Sequence, residues 1–73
     1  MLTAADLYRL HSSLCATIIR LSDRMVPADP HAPRLSVFSG EWACLRGASD
    51  ELNETAAAVY AEIARREQEA VHA

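Results

Sequence analysis

Residues 34–70 read RLSVFSGEWACLRGASDELNETAAAVYAEIARREQEA, and the reading of this stretch decides the fold. Gly40 and Gly47 invite a division into short pieces. Yet Leu35, Phe38, Trp42, Leu45, Ser49, Leu52, Ala56, Val59, Ile63, Arg66 and Ala70 recur at intervals of three and four without a slip. Such spacing keeps one helical face in phase. A glycine inside a helix costs only ~1 kcal/mol relative to alanine, too little to interrupt a seam this long. The spacing therefore predicts one helix over about 34–70. A variant of the reading breaks it at Gly47-Ala48-Ser49, with Ser49 capping a third helix that carries Asp50 and Glu51 in its first turn.

Upstream, Leu7, His11, Leu14, Ile18, Leu21 and Met25 alternate by four and three, the seam of another helix. Thr3-Ala4-Ala5-Asp6 places a hydroxyl before the first turn and a carboxylate three residues on, a relative of the capping box. No glycine or proline intervenes before Pro27, so this helix is expected over about 4–25. Pro27, Pro30 and Pro33 lack the N–H that a continuing helix needs, and they mark residues 26–33 as a stiff loop.

The expected fold is an all-α antiparallel helical hairpin: a short helix, a proline-rich loop and a long helix, in one domain over residues 1–73. Pairing through the loop would set Met25 near Leu35 and Phe38, Ile18 and Leu21 near Trp42 and Leu45, and His11 near Ser49 or Leu52. The longer helix would then overrun the shorter one beyond Val59. On that expectation Val59, Ile63 and Arg66 lack an intramolecular partner and belong to an interface.

Composition points the same way. A chain of 73 residues that is 51% hydrophobic but only 5% aromatic is too apolar for disorder and rich in helix-favouring alanine. A core of this size rarely supplies more than ~3–5 kcal/mol, a limit that small domains escape by disulfides, metals or oligomerisation. Helix one also carries Tyr8, Leu10, Cys15, Ile19 and Val26 off its seam. A helix apolar over most of its circumference expects neighbours on more than one side. Two hairpins dimerising into a four-helix bundle with coiled-coil-like packing would supply them. Homodimerisation is thus the expected partnership, a heterologous protein partner being the other.

The net charge is −3, and all seven basic residues are arginines, usage that fits a GC-rich bacterial genome. Nucleic-acid binding normally requires a basic patch. Ala43 and Gly47 have the spacing of a helix-turn-helix, but the following helix would open with Asp50, Glu51 and Glu54, which repel phosphate, and Asn53 would stand where an apolar contact is wanted. Nucleic acid is therefore not the expected partner. Met1-Leu2-Thr3-Ala4-Ala5-Asp6 lacks the basic region and apolar run of a secretory signal. No apolar stretch approaches the ~18 residues of a membrane span. The expected compartment is the cytoplasm.

His11 and Cys15 stand four apart, the helical spacing of two ligands to one metal, and Cys44 or His31 could complete a set. The plainer reading is preferred: Cys15 as a small buried hydrophobe, His11 as a polar interruption bonded to a neighbour such as Ser49. A metal- or redox-responsive regulator using His11, Cys15 and Cys44 is the alternative, beside a small DNA-associated regulator or antitoxin. Trp42 reads as a core residue, or with Phe38 as a partner hot spot. Glu62 with Arg66, and Arg65 with Glu69, have the i, i+4 spacing of an exposed helix. Neither a nucleophile elbow nor a phosphate-cradling loop is present. The expectation is a non-enzymatic adaptor, subunit or regulator without catalytic residues or cofactor.

Overall fold

The structure, a computed structural model, describes residues 1–72. It is a small all-α two-helix hairpin: α1 spans Ala4–Met25 and α2 spans Gly40–His72. The molecule measures 53 × 21 × 18 Å, and its long dimension is set by α2, whose 33 residues rise about 50 Å.

α1 begins where the side chains supply partners for its first N–H groups. The Thr3 hydroxyl accepts from the Asp6 N–H, and the Asp6 carboxylate accepts from the Thr3 N–H, each at 3.1 Å. This is a complete capping box. The Thr3 backbone N–H, then the Thr3 hydroxyl, hold the Asp6 carboxyl below its ordinary range, with a smaller contribution from Arg9 at 2.9 Å. At the other end the Val26 N–H closes on Ser22 O at 2.8 Å. Pro27 then stops the helix, since proline disfavours α backbone at the residue before it.

α2 begins at Gly40, not near Arg34. Residues 34–39 are diverted by two serines. The Ser36 hydroxyl accepts from the Phe38 N–H at 3.2 Å, and Ser36 O receives the Ser39 N–H at 3.0 Å and the Ser39 hydroxyl at 2.7 Å. Ser39 then caps α2: its hydroxyl accepts from the Trp42 N–H at 3.1 Å and its carbonyl from the Ala43 N–H at 3.2 Å. Serine competes for backbone partners in this way and so favours caps over helix interiors. The connection is accordingly residues 26–39 rather than 26–33. Within it Asp29 organises a turn, accepting the His31 N–H on its side chain at 2.9 Å and the Ala32 N–H on its carbonyl at 3.1 Å.

The helix runs unbroken through Gly47, which has ordinary helical backbone. Neither a third helix capped by Ser49 nor a helix-turn-helix turn forms there.

The two seams meet, but in a different register from the expected one. Leu7, Met25, Ala56 and Ile63 are buried, and His11, Leu14, Ile18, Leu21, Trp42, Leu45, Ser49, Leu52 and Val59 are half-buried along the line between them. His11 packs against Tyr60, with ring centroids 5.8 Å apart, and not against Ser49 or Leu52. The later start of α2, six residues on, moves its C-terminal half along α1 by nearly two turns. The predicted overhang disappears as a result. Ile63 is 6% exposed against α1, and Arg66 donates to Leu2 O at 2.6 Å. Among the described residues no side chain is fully buried, as expected of two helices with one contact line.

Candidate functional site

An antiparallel pair of right-handed helices has two unlike flanks. Residues one position after each seam position turn towards the same flank from both helices, and those one position before turn towards the other. Contacts across the hairpin follow this rule. Tyr8 and Glu67, both one position after the seam, hydrogen-bond to each other. Arg24 and Glu41, both one position before it, pair at 2.6 Å.

The first flank is apolar along most of its length. From α1 it receives Tyr8, Ser12, Cys15, Ile19, Ser22 and Val26; from α2 it receives Asn53, Ala57, Tyr60, Ala64, Glu67 and Val71. Exposure is 49% for Tyr8, 61% for Ile19, 62% for Tyr60 and 81% for Val71. Several of its polar groups already have partners. Glu67 accepts from the Tyr8 phenol, Asn53 Nδ2 donates to Ser49 O at 2.9 Å, and Arg46 sits 3.6 Å from Asp50 nearer the loop. The bond to Glu67 favours the neutral phenol and pushes the Tyr8 pKa up.

The opposite flank is charged. It carries Asp6, Arg20 and Arg24 from α1, and Glu41, Glu51, Glu62, Arg65 and Glu69 from α2. Arg65 bridges Glu62 at 2.6 Å and also pairs with Glu69, while Arg66 reaches Glu62 at 2.9 Å. Hydrogen bonds from Arg65, then Arg66, hold the Glu62 carboxyl at about 2. Both i, i+4 pairs predicted for this run are present.

The residues singled out from sequence divide between these surfaces. Tyr8, Cys15 and Ile19 share the apolar flank, whereas Leu10, 39% exposed, lies on the other. Val59 and Ile63 are seam residues packed within the hairpin, and Arg66 is occupied by Glu62 and Leu2. Phe38 is 95% exposed ahead of α2, while Trp42 is half-buried in its first turn, so the two do not form one packed cluster. Sequence reading missed Ala57, Tyr60, Ala64 and Val71. Their signal was legible: they repeat the seam's own spacing one residue later.

His11 and Cys15 are brought together, with Cys15 Sγ 3.8 Å from Nδ1 and 3.9 Å from Nε2. The imidazole is at the same time stacked at a tilt on Tyr60. Cys44 is exposed on the charged flank, and both thiols are free. His31 is exposed in the connecting loop. Among the described residues no three of His, Cys, Asp or Glu converge as a metal-holding group.

At the end of the hairpin away from the loop, Ala4, Leu7, Tyr8, Ile63, Arg66, Glu67 and Ala70 line an open recess of about 160 Å³. Among the described residues no helix is long and apolar enough to cross a membrane. The class defined by these features is a small all-α two-helix hairpin with one apolar and one charged flank. Comparison with protein-family models, with curated proteins and with solved structures finds no match for the chain.

Proposed function

We propose that the chain is a non-enzymatic protein-interaction module, an adaptor, subunit or regulator, that works as a helical homo-oligomer with two hairpins packed as a four-helix bundle. The observation that carries this reading is the surface left uncovered. The chain exposes 5504 Å², whereas a globular monomer of 8.0 kDa exposes about 4,450 Å². Its radius of gyration is 16.2 Å, against about 11 Å for a compact domain of this length. The surplus of about 1,000 Å² exceeds the ~800 Å² that each partner contributes to a standard protein interface.

The lowered carboxyls serve the helices themselves. Perturbed pKa values at catalytic sites normally come from burial or like-charge crowding in a cleft. Here Asp6 and Glu62 are lowered by a helix cap and by surface arginines, which are causes that stabilise helices.

Sedimentation equilibrium with far-ultraviolet circular dichroism tests the reading. A highly helical species of at least twice the 8.0 kDa chain mass is expected. A folded, helical monomer persisting at micromolar concentration would refute it.

A further inference from the structure

We propose that a second copy of this chain docks across the apolar flank, on the surface that Tyr8 and Ile19 of α1 form with Ala57, Tyr60 and Ala64 of α2, about a two-fold axis. The proposal rests on the self-association reading above and says which face serves it.

Three observations select a second copy as the occupant. An isologous contact sets a patch against itself, so the same patch must supply both protrusions and recesses. This flank does so along both helices. Tyr8 and Ile19 stand on either side of the small Ser12 and Cys15, and Tyr60 is set between Ala57 and Ala64, spacing that lets ridges of one copy enter grooves of the other.

The second observation is charge. The chain's net charge of −3 is carried largely away from this face. Arg46 and Asp50 on it compensate each other, which leaves Glu67, hydrogen-bonded to Tyr8 at the far end, as its one uncompensated charge. Two copies therefore meet with little like-charge repulsion, and a strongly acidic or basic partner finds no complement here. Covering the face also strands few polar atoms, because Glu67 and Asn53 already have hydrogen-bond partners inside the chain.

The third is area. α1 runs about 33 Å beside α2, and across the hairpin's 21 Å width the flank offers about 700 Å² in projection, close to the ~800 Å² that each partner contributes to a standard interface.

The test compares wild type with Ile19→Arg and Tyr60→Arg on this flank and Ala58→Arg on the charged flank, by sedimentation velocity from 1 to about 100 μM. Loss of a central aromatic or aliphatic anchor is expected to raise the dimer dissociation constant about 30-fold or more, with Ala58→Arg matching wild type. If wild type is monomeric throughout, the self-association reading fails, and this proposal with it. If wild type dimerises and the two flank variants dimerise equally well, the face is wrong while self-association stands. Should the flank variants unfold, hydroxyl-radical footprinting of the unaltered chain decides. Tyr8 and Tyr60 become protected above the dimerisation midpoint while Phe38, 95% exposed beside the loop, keeps its reactivity. Undiminished reactivity of Tyr60 in the dimer would overturn the proposal.

Discussion

The phenol of Tyr8 donates a hydrogen bond to the carboxylate of Glu67, joining residues 59 positions apart at the end of the hairpin away from the loop. It ties the second turn of α1 to the last turns of α2, where no covalent connection holds the helices together.

Tyr8→Phe keeps the ring and removes only this bond. Glu67 favours the neutral phenol, so the folded state holds the Tyr8 pKa above its ordinary value. That contribution is fully present below about pH 10, the unfolded tyrosine value, and is lost as pH rises through the higher folded value. Melting followed by circular dichroism is expected to show Tyr8→Phe slightly less stable than wild type at pH 7, with the gap closing in strong alkali. A gap of constant size through pH 11 would show that the loss is packing and not the hydrogen bond.

Acid acts at the same end through Glu62. Arg65 and Arg66 hold its carboxyl at about 2, against an ordinary 4.5. A depressed carboxyl pKa contributes stability that is present above the unfolded value and lost as pH falls towards the folded one. Wild type is therefore expected to lose helicity between about pH 4.5 and pH 2, with Asp6 contributing in the same direction through its cap. Glu62→Gln should be less helical at neutral pH and show a shallower acid transition. Identical acid titrations of the two proteins would remove Glu62 from the account.

The seams of both helices were legible because burial against a single neighbour imposes one periodicity, and Leu7, Leu14, Ile18, Ala56 and Ile63 obey it. The start of α2 was not, because Leu35 and Phe38 continue the spacing by chance while Ser36 and Ser39 take the backbone bonds. Periodicity reads side-chain burial and is blind to a hydroxyl that competes for an N–H. That displaced start carried the register error and the mistaken overhang with it. The apolar flank was half visible: Tyr8, Cys15 and Ile19 stood out on α1, but Ala57 and Ala64 on either side of Tyr60 look like helix filler until the hairpin sets them beside α1.

The cap itself can be measured. Ser39 accepts the Trp42 N–H at 3.1 Å, and replacing a capping serine by alanine costs about 0.5–2 kcal/mol. Ser39→Ala should therefore lower the urea midpoint, and Ser36→Ala should do so less, since its hydroxyl serves a turn outside the helix. If Ser39→Ala is neutral, α2 begins upstream of Gly40 in solution.

Ile63 separates the observed register from the expected one. At 6% exposed, its truncation to alanine is expected to cost about 2–5 kcal/mol, comparable to the whole ~3–5 kcal/mol that a core of this size supplies. Ile63→Ala should be largely unfolded at conditions where Val71→Ala, 81% exposed, stays within about 0.5 kcal/mol of wild type. Equal effects at the two positions would mean that Ile63 is unpartnered in the hairpin.

Gly47 gives the most direct check on the continuity of α2. It lies inside the helix with ordinary backbone angles, and a Cβ built on it meets nothing within 4 Å. Alanine there loses less conformational entropy on folding than glycine and keeps the same helix, so Gly47→Ala is expected to stabilise the chain by about 1 kcal/mol. The same substitution would be destabilising in a turn that needs the left-handed backbone glycine tolerates. Urea denaturation of Gly47→Ala therefore reports the sign directly: a higher midpoint requires helix through residue 47, and a lower one would place a break there and restore the three-helix arrangement.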